Sequence, residues 1–148
     1  MSIEQEQFIF GSILLLANKL QVLGDSFLPD ITLKQWFLLL MISKLSDKQN
    51  NINSIAKAMG SSRQNTKKMI DLLESKGYVS ANQSVQDLRN LNVLLTDKTR
   101  EYFIKYESLG NKLLNELFID FTDTDLDTAF GFLQKLLKNA DSFSPEEK

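Results

Sequence analysis

The stretch Asn53-Ser-Ile55-Ala56-Lys-Ala-Met59-Gly60-Ser61-Ser62-Arg63-Gln64-Asn65-Thr66-Lys67-Lys68-Met69-Ile70-Asp71-Leu72-Leu73-Glu74-Ser75-Lys76-Gly77 decides the fold. Ile55, Ala56 and Met59 recur at the three- and four-residue spacing of a helix with one buried face. Gly60-Ser61-Ser62 is a tight turn, Ser61-x-x-Gln64 reads as a capping box, and Gly77 stands where a helix ends on a left-handed residue. A helix, a three-residue turn containing glycine and a second helix outline a helix-turn-helix. At 100° per residue, Thr66, Met69, Ile70 and Leu73 share the inward face of the second helix. Gln64, Lys68 and Ser75 lie opposite, with Asn65 and Lys67 on the flanks and Arg63 on a shoulder, while Asp71 and Glu74 sit nearer the C-terminus. Amides and cations near the N-terminal end of such a helix can reach base edges and phosphates. Lys and Gln are also ordinary surface helix formers, so the helix alone leaves a plain solvated face open.

Beyond Gly77 the hydrophobic period changes. Val79, Ala81, Val93 and Leu95 alternate as in short strands around the polar stretch 82–92, which predicts a hairpin with a long exposed tip. Asp87-x-Arg89 falls on that tip. An arginine there can enter a narrow, electronegative minor groove, and a carboxylate two residues away can hold its guanidinium. A surface ion pair without consequence is the alternative. Turn motif and hairpin in succession favour DNA binding over either plain reading.

Working outward, Phe8, Ile9, Ile13, Leu16, Leu20 and Leu23 predict a first helix over Glu4 to Leu23, broken by Gly24-Asp25 and Leu28-Pro29. Thr32-x-x-Gln35 is a capping box opening a second helix whose body, Trp36 to Ile42, is apolar nearly all round, as in a central helix. Asp97 to about Ile119 forms a long helix, and Thr122-Asp-Thr-Asp125 starts a last one bearing Leu126, Phe130, Leu133 and Leu137. The expected fold is mainly α with a small β-hairpin: a winged helix-turn-helix core at 31–98 between helical segments 1–30 and 99–148, in one compact fold.

Composition narrows the chemistry. The 148-residue chain is 43% hydrophobic and 24% charged, enough for a real core. It contains no cysteine and no histidine, which removes thiolate nucleophiles, histidine bases, Ser-His-Asp triads and the usual zinc sites. No Gly-rich phosphate loop or metal-ligand spacing is present, so neither cofactor nor metal is expected. A helical enzyme using Asp and Glu alone would need a buried carboxylate cluster that no spacing indicates. The first residues are acidic, and the apolar run Ile13 to Ala17 ends at Asn18-Lys19, far short of a bilayer span, so a cytoplasmic protein without a membrane partner is expected. Net charge is −2, yet Lys48 to Ile70 carries five cations and no acid, while the last 34 residues carry an excess of five acids. Such a chain can bind DNA through one basic segment and keep the rest of its surface off the phosphates.

Thr32 to Lys98 resembles the DNA-binding core of the MarR family. The family's wing pattern, Asp-x-Arg-x-x-x-Val-x-Leu-Thr, is matched by Asp87-Leu-Arg89-Asn-Leu-Asn-Val93-Leu-Leu95-Thr96. Ser62-Arg-Gln-Asn65 through Leu73-Glu-Ser-Lys-Gly77-Tyr-Val79 is similar to its recognition helix and the ending of that helix. The long flanking helices extend the likeness to nearly the whole chain. The resemblance implies that Arg89 reads the minor groove with Asp87 orienting it. It also implies that Ser62, Arg63, Gln64, Asn65, Lys67 and Lys68 supply phosphate and major-groove contacts. It implies a homodimer built from the terminal helices, repression at a pseudo-palindromic operator, and in many members a small aromatic effector. Trp36 or Tyr102 would line such a pocket, or else belong to the core. A winged-helix module that binds protein instead of DNA is the alternative. Three departures stand out. Leu72 replaces a frequent charge and is expected to pack on a neighbour, Thr99 replaces a common glycine, and Asn90 and Asn92 replace charged wing residues.

Overall fold

Four helices begin where a short polar side chain, of Thr32, Asn51, Ser62 or Thr122, satisfies a free backbone donor. Thr32 Oγ1 accepts from Gln35 N at 3.2 Å while Gln35 Oε1 accepts from Thr32 N at 3.1 Å, closing the expected capping box. Asn51 Oδ1 accepts from Ser54 N at 3.0 Å and Ser62 Oγ from Asn65 N at 3.2 Å. The computed structural model describes residues 2–46, 50–84 and 90–143. In chain order the elements are α1 (Ile3–Phe27), α2 (Leu33–Lys44), α3 (Ile52–Met59), α4 (Arg63–Ser75), β1 (Val79–Gln83), β2 (Leu91–Leu95), α5 (Asp97–Leu117) and α6 (Asp123–Ser142). The mainly helical class with one antiparallel hairpin is therefore as expected. The chain divides into two units, Met1–Glu107 and Ser108–Lys148.

In the first unit, Leu38, Leu39, Ile42, Ile52, Ile55, Ile70, Leu73, Tyr78, Val79 and Val93 form one buried cluster. Each such side chain contributes about 1.5–3 kcal/mol of transfer free energy. The cluster joins α2, α3, α4 and the hairpin, so the helix-turn-helix and its wing share a core. Gly60, at φ +59°, ends α3 in the left-handed region. Gly77, at φ +80°, lets α4 close with Tyr78 N bonding Leu73 O and Gly77 N bonding Glu74 O, both at 2.9 Å. β1 and β2 pair in the register Val79↔Leu95 through Gln83↔Leu91, and Asn51 bridges antiparallel to Asn92 on the far side of β2.

The structure corrects several boundaries. The first helix does not break at Gly24-Asp25 but continues to Phe27. Gly24 is the buried residue of α1, pressed against Leu33, so its missing side chain serves close packing and not a turn. The N-cap of α4 is Ser62, not Ser61, because the side chain that reaches a free donor is that of Ser62. Leu72 packs on no neighbour closely enough to be covered, being 45% exposed. Thr99, by contrast, is fully buried and its hydroxyl donates to Tyr78 O at 2.5 Å, a contact glycine could not make.

The α1–α2 connection is tied to the far end of α4. Asp30, at φ +69°, accepts from Tyr78 Oη at 2.6 Å, and Tyr102 Oη donates to Pro29 O at 2.8 Å. Lys76 and Lys98 lie 3.8 and 3.9 Å from the Asp30 carboxylate. Tyr78's hydrogen bond, aided by the two lysines, holds that carboxyl below its usual value, and burial pushes Tyr102 up to about 12.

α1 and the second unit share one trait. In α1, Phe8, Phe10, Leu14, Leu15 and Leu16 are exposed; in α6, no residue is buried, and Phe130 and Leu137 are each 65% exposed. No continuous apolar run in α1 reaches a bilayer's width. Averaged over 18 residues, however, its mean hydropathy of 1.3 makes the helix long and apolar enough to cross a membrane by length and composition alone.

Candidate nucleic-acid interface

α4 presents its N-terminal half outward because Thr66, Ile70 and Leu73 are drawn fully into the core. That inward pull leaves Ser62, Arg63, Gln64, Asn65 and Lys68 exposed and Lys67 half-buried at its side. The six sequence-predicted positions are therefore brought together on one surface. They are not equally available. Among the described residues Gln64, Asn65 and Lys68 have no side-chain partner, so their donors are free to meet a ligand. Ser62 Oγ is occupied as the N-cap acceptor but keeps its own proton to donate. Arg63 Nη1 donates to Asn53 Oδ1 at 2.8 Å, so Arg63 ties α4 to α3 across the turn. Lys67 is paired with Asp71 one turn along the same helix. Exposed pairs of this kind contribute only a few tenths of a kcal/mol and open readily for a stronger anion.

Asn53 is the participant that sequence reasoning missed. It stands at the start of α3, and nothing in a periodicity argument pairs it with Arg63 ten residues on. Asp87 and Arg89, the wing residues named from sequence, lie outside the described residues. Tyr102 is buried and stacks edge-on to Tyr78 at 5.6 Å, whereas Trp36 is half-buried and packs against the outside of the same core. The buried polar residues among those described are Gln35, Asn50, Thr66 and Thr99. None of the four is ionisable.

A two-stranded hairpin placed directly after a helix-turn-helix, with a shared core, defines a winged-helix protein. The sequence model of the MarR family matches residues 31–91, from just before α2 to the start of β2. Transcriptional repressor MprA of Escherichia coli strain K12 is 29% identical over 89 residues, covering 60% of this chain and 51% of MprA. The chain thus spans about half the length of the curated relatives it matches. A MarR/EmrR family transcriptional regulator from Acinetobacter sp. ADP1 superposes with a TM-score of 0.82 at 22% identity, covering 97% of this chain and all of that one. The S. aureus MepR–DNA complex gives a TM-score of 0.79 at 20% identity, covering 91% of this chain and 97% of that one. At these identities the structural likeness is one of fold.

Proposed function

We propose that the protein is a cytoplasmic, homodimeric regulator that binds a pseudo-palindromic operator in double-stranded DNA, as a repressor, and that it is not an enzyme. The observation that carries this reading is the acid-free, outward-facing N-terminal half of α4, where Lys68, Gln64 and Asn65 stand free beside Ser62 and Lys67. Free amides and a free cation at the start of a recognition helix are what base edges and phosphates require. Arg63 acts first as the brace that fixes α4 on α3, and Asp87 and Arg89 serve the minor groove on the sequence pattern of the wing. The similarity to MprA and to MepR bound to DNA supports DNA as the partner and repression as the outcome. The exposed apolar surfaces of α1 and α6 support a second copy as the other partner. Two recognition helices would then address successive major grooves about 34 Å apart.

The test is affinity for random-sequence duplex across a salt series, for wild type, Lys68→Ala and Arg89→Ala. A steep fall in affinity with salt is expected, with a shallower slope in both variants. A folded dimer that shows no salt-dependent binding would refute the proposal and turn the search to a protein partner.

A further inference from the structure

At one rung the hairpin is held to the helix-turn-helix from both edges. Ala81 and Val93 face each other across β1 and β2. Neither amide points at the other strand: Val93 N donates outward to Asn50 O at 2.9 Å, and Ala81 N donates outward to Glu74 Oε1 at 2.9 Å. The hairpin is thus gripped from both edges at the same level, with Val93 fully buried beneath it. The two grips differ in kind. On the β2 side the anchor is backbone, reinforced by the Asn51↔Asn92 bridge and by Asn51 capping α3. Any residue can supply that anchor. On the β1 side the anchor is a side chain, the exposed carboxylate of Glu74 in the last turn of the recognition helix. An outward strand N–H can otherwise be satisfied by water, so the core does not require this bond.

We infer that Glu74 is a positioning residue: its carboxylate, bonded to the Ala81 amide, sets the elevation of the wing relative to the recognition helix, so that helix and wing engage DNA together. The inference rests on the DNA-binding reading above. Rotation of a hairpin about its base grows along the strands at about 3.3 Å per residue, so slack at the Ala81 rung becomes displacement toward the tip. Glutamine at position 74 retains the accepting oxygen; alanine removes it.

Two measurements on the full chain test this. The first is amide hydrogen exchange at Ala81 without DNA. Glu74→Ala is expected to speed exchange about tenfold, the factor one charge-assisted hydrogen bond supplies, and Glu74→Gln to leave most of the protection in place. Unchanged exchange in Glu74→Ala would overturn the clamp. The second is a double-mutant cycle in duplex affinity with Arg89→Ala. Glu74→Ala is expected to weaken binding about tenfold in the wild-type background, to have little effect once Arg89 is gone, and to be rescued by Glu74→Gln. An equal loss in both backgrounds, or a loss accompanied by a lowered melting temperature that Glu74→Gln shares, would mean that Glu74 does not act through the wing and would overturn the inference. If the wild-type chain binds no duplex, the DNA-binding reading fails instead, and the Ala81 exchange alone decides whether the clamp exists.

Discussion

Replacing Gly24 by alanine sets two opposite effects against each other at the junction of α1 and α2. In a helix interior the exchange is ordinarily favourable by about 1 kcal/mol, because glycine loses more backbone entropy on folding. Here a Cβ would lie 2.7 Å from Leu33 Cδ2 and 2.8 Å from both Leu33 Cβ and Cδ1. Carbon atoms sit comfortably at about 3.5–4.0 Å, so all three approaches are deep overlaps. The δ-carbons can swing aside, but Leu33 Cβ can move only with its backbone. That backbone is fixed, since Leu33 N donates to Asp25 Oδ1 at 2.7 Å and so belongs to the same joint. The two helices must therefore separate, and the upper end of overpacking costs, about 3 kcal/mol, applies. The net expectation is a loss of about 2 kcal/mol, the difference between that overpacking cost and the helix-propensity gain.

Urea denaturation at fixed protein concentration measures it, as a lower midpoint with an unchanged slope. Gly110→Ala is the control: its Cβ meets nothing within 4 Å, so that variant should gain about 0.5–1 kcal/mol. Combining Gly24→Ala with Leu33→Ala removes the two δ-carbons but not the β-carbon, so the pair should cost less than the sum of its parts without returning to wild type. If Gly24→Ala stabilises as much as Gly110→Ala, the tight α1–α2 packing does not exist, and α1 does not leave the winged-helix lobe at a packed angle.

Other expectations follow from single interactions. Lys68→Ala should reduce the salt slope of DNA binding by about 0.9 for each phosphate that the lysine neutralises. Lys67→Ala should reduce it by less, because a phosphate must first displace the Asp71 carboxylate, and equal reductions would contradict that ranking. Asp30 is depressed below its ordinary 3.8 chiefly by the Tyr78 hydroxyl, so its stabilisation is present above that pH and is lost as pH falls through the folded-state value. Tyr78→Phe should therefore flatten the decline of melting temperature below about pH 4, and an unaltered acid limb would refute the link. Tyr102 works at the other end: its folded-state value of about 12 against an ordinary 10.0 gives stability that is complete below pH 10 and lost as pH rises toward 12. Tyr102→Phe should lessen the alkaline loss in the same melting series, and the remainder belongs to Tyr78, which burial and its bond to Asp30 also push up. Thr66 is fully buried and its Oγ1 has no hydrogen-bond partner among the described residues, so Thr66→Val should stabilise by up to about 1 kcal/mol in urea denaturation. A loss of that size would instead reveal a hidden partner.

Much of this architecture was legible because local signals agreed with the tertiary result. The capping box at Thr32, the glycine ending α4 and the alternation in β1 and β2 are short-range patterns with one structural solution each. The inward face of α4 was legible for the same reason, since a period of 3.6 fixes which of Thr66, Ile70 and Leu73 point to the core. What escaped was every feature that depends on a distant segment. Gly24 reads as a breaker until Leu33 is seen pressed against it. Arg63 reads as a free cation until Asn53 is found beside it, and Glu74 as a solvated acid until β1 folds back over the helix. Asp30 is bound to Tyr78, 48 residues on, and no spacing within α1 or α2 hints at it.

The apolar exposure of α1 presents two partners, lipid and protein, and the distribution of its polar residues favours the second. Gln5, Ser12 and Lys19 recur every seven residues and so fall along one line of the helix. Gln7, Asn18, Gln21 and Asp25 fall close to another line. Apolar strips holding Phe8, Leu15 and Val22 on one side and Ile9, Ile13, Leu16 and Leu20 on the other run between them. A helix in hydrocarbon would leave both polar lines facing acyl chains, where each amide and charge needs a partner or carries a cost. A helix seated against other helices can bury the apolar strips and leave the polar lines at the wet margins, as the rim of a protein interface does. α6 carries the same mixture, with Phe130, Leu133 and Leu137 exposed on a helix that also bears Asp123, Asp127, Lys135 and Lys138. Two amphipathic helices with uncovered apolar strips, one before and one after a lobe whose own core is complete, are what a two-fold assembly needs from each copy. The apolar face of α4, by contrast, is already spent on the core of its own lobe, with Thr66, Ile70 and Leu73 buried there.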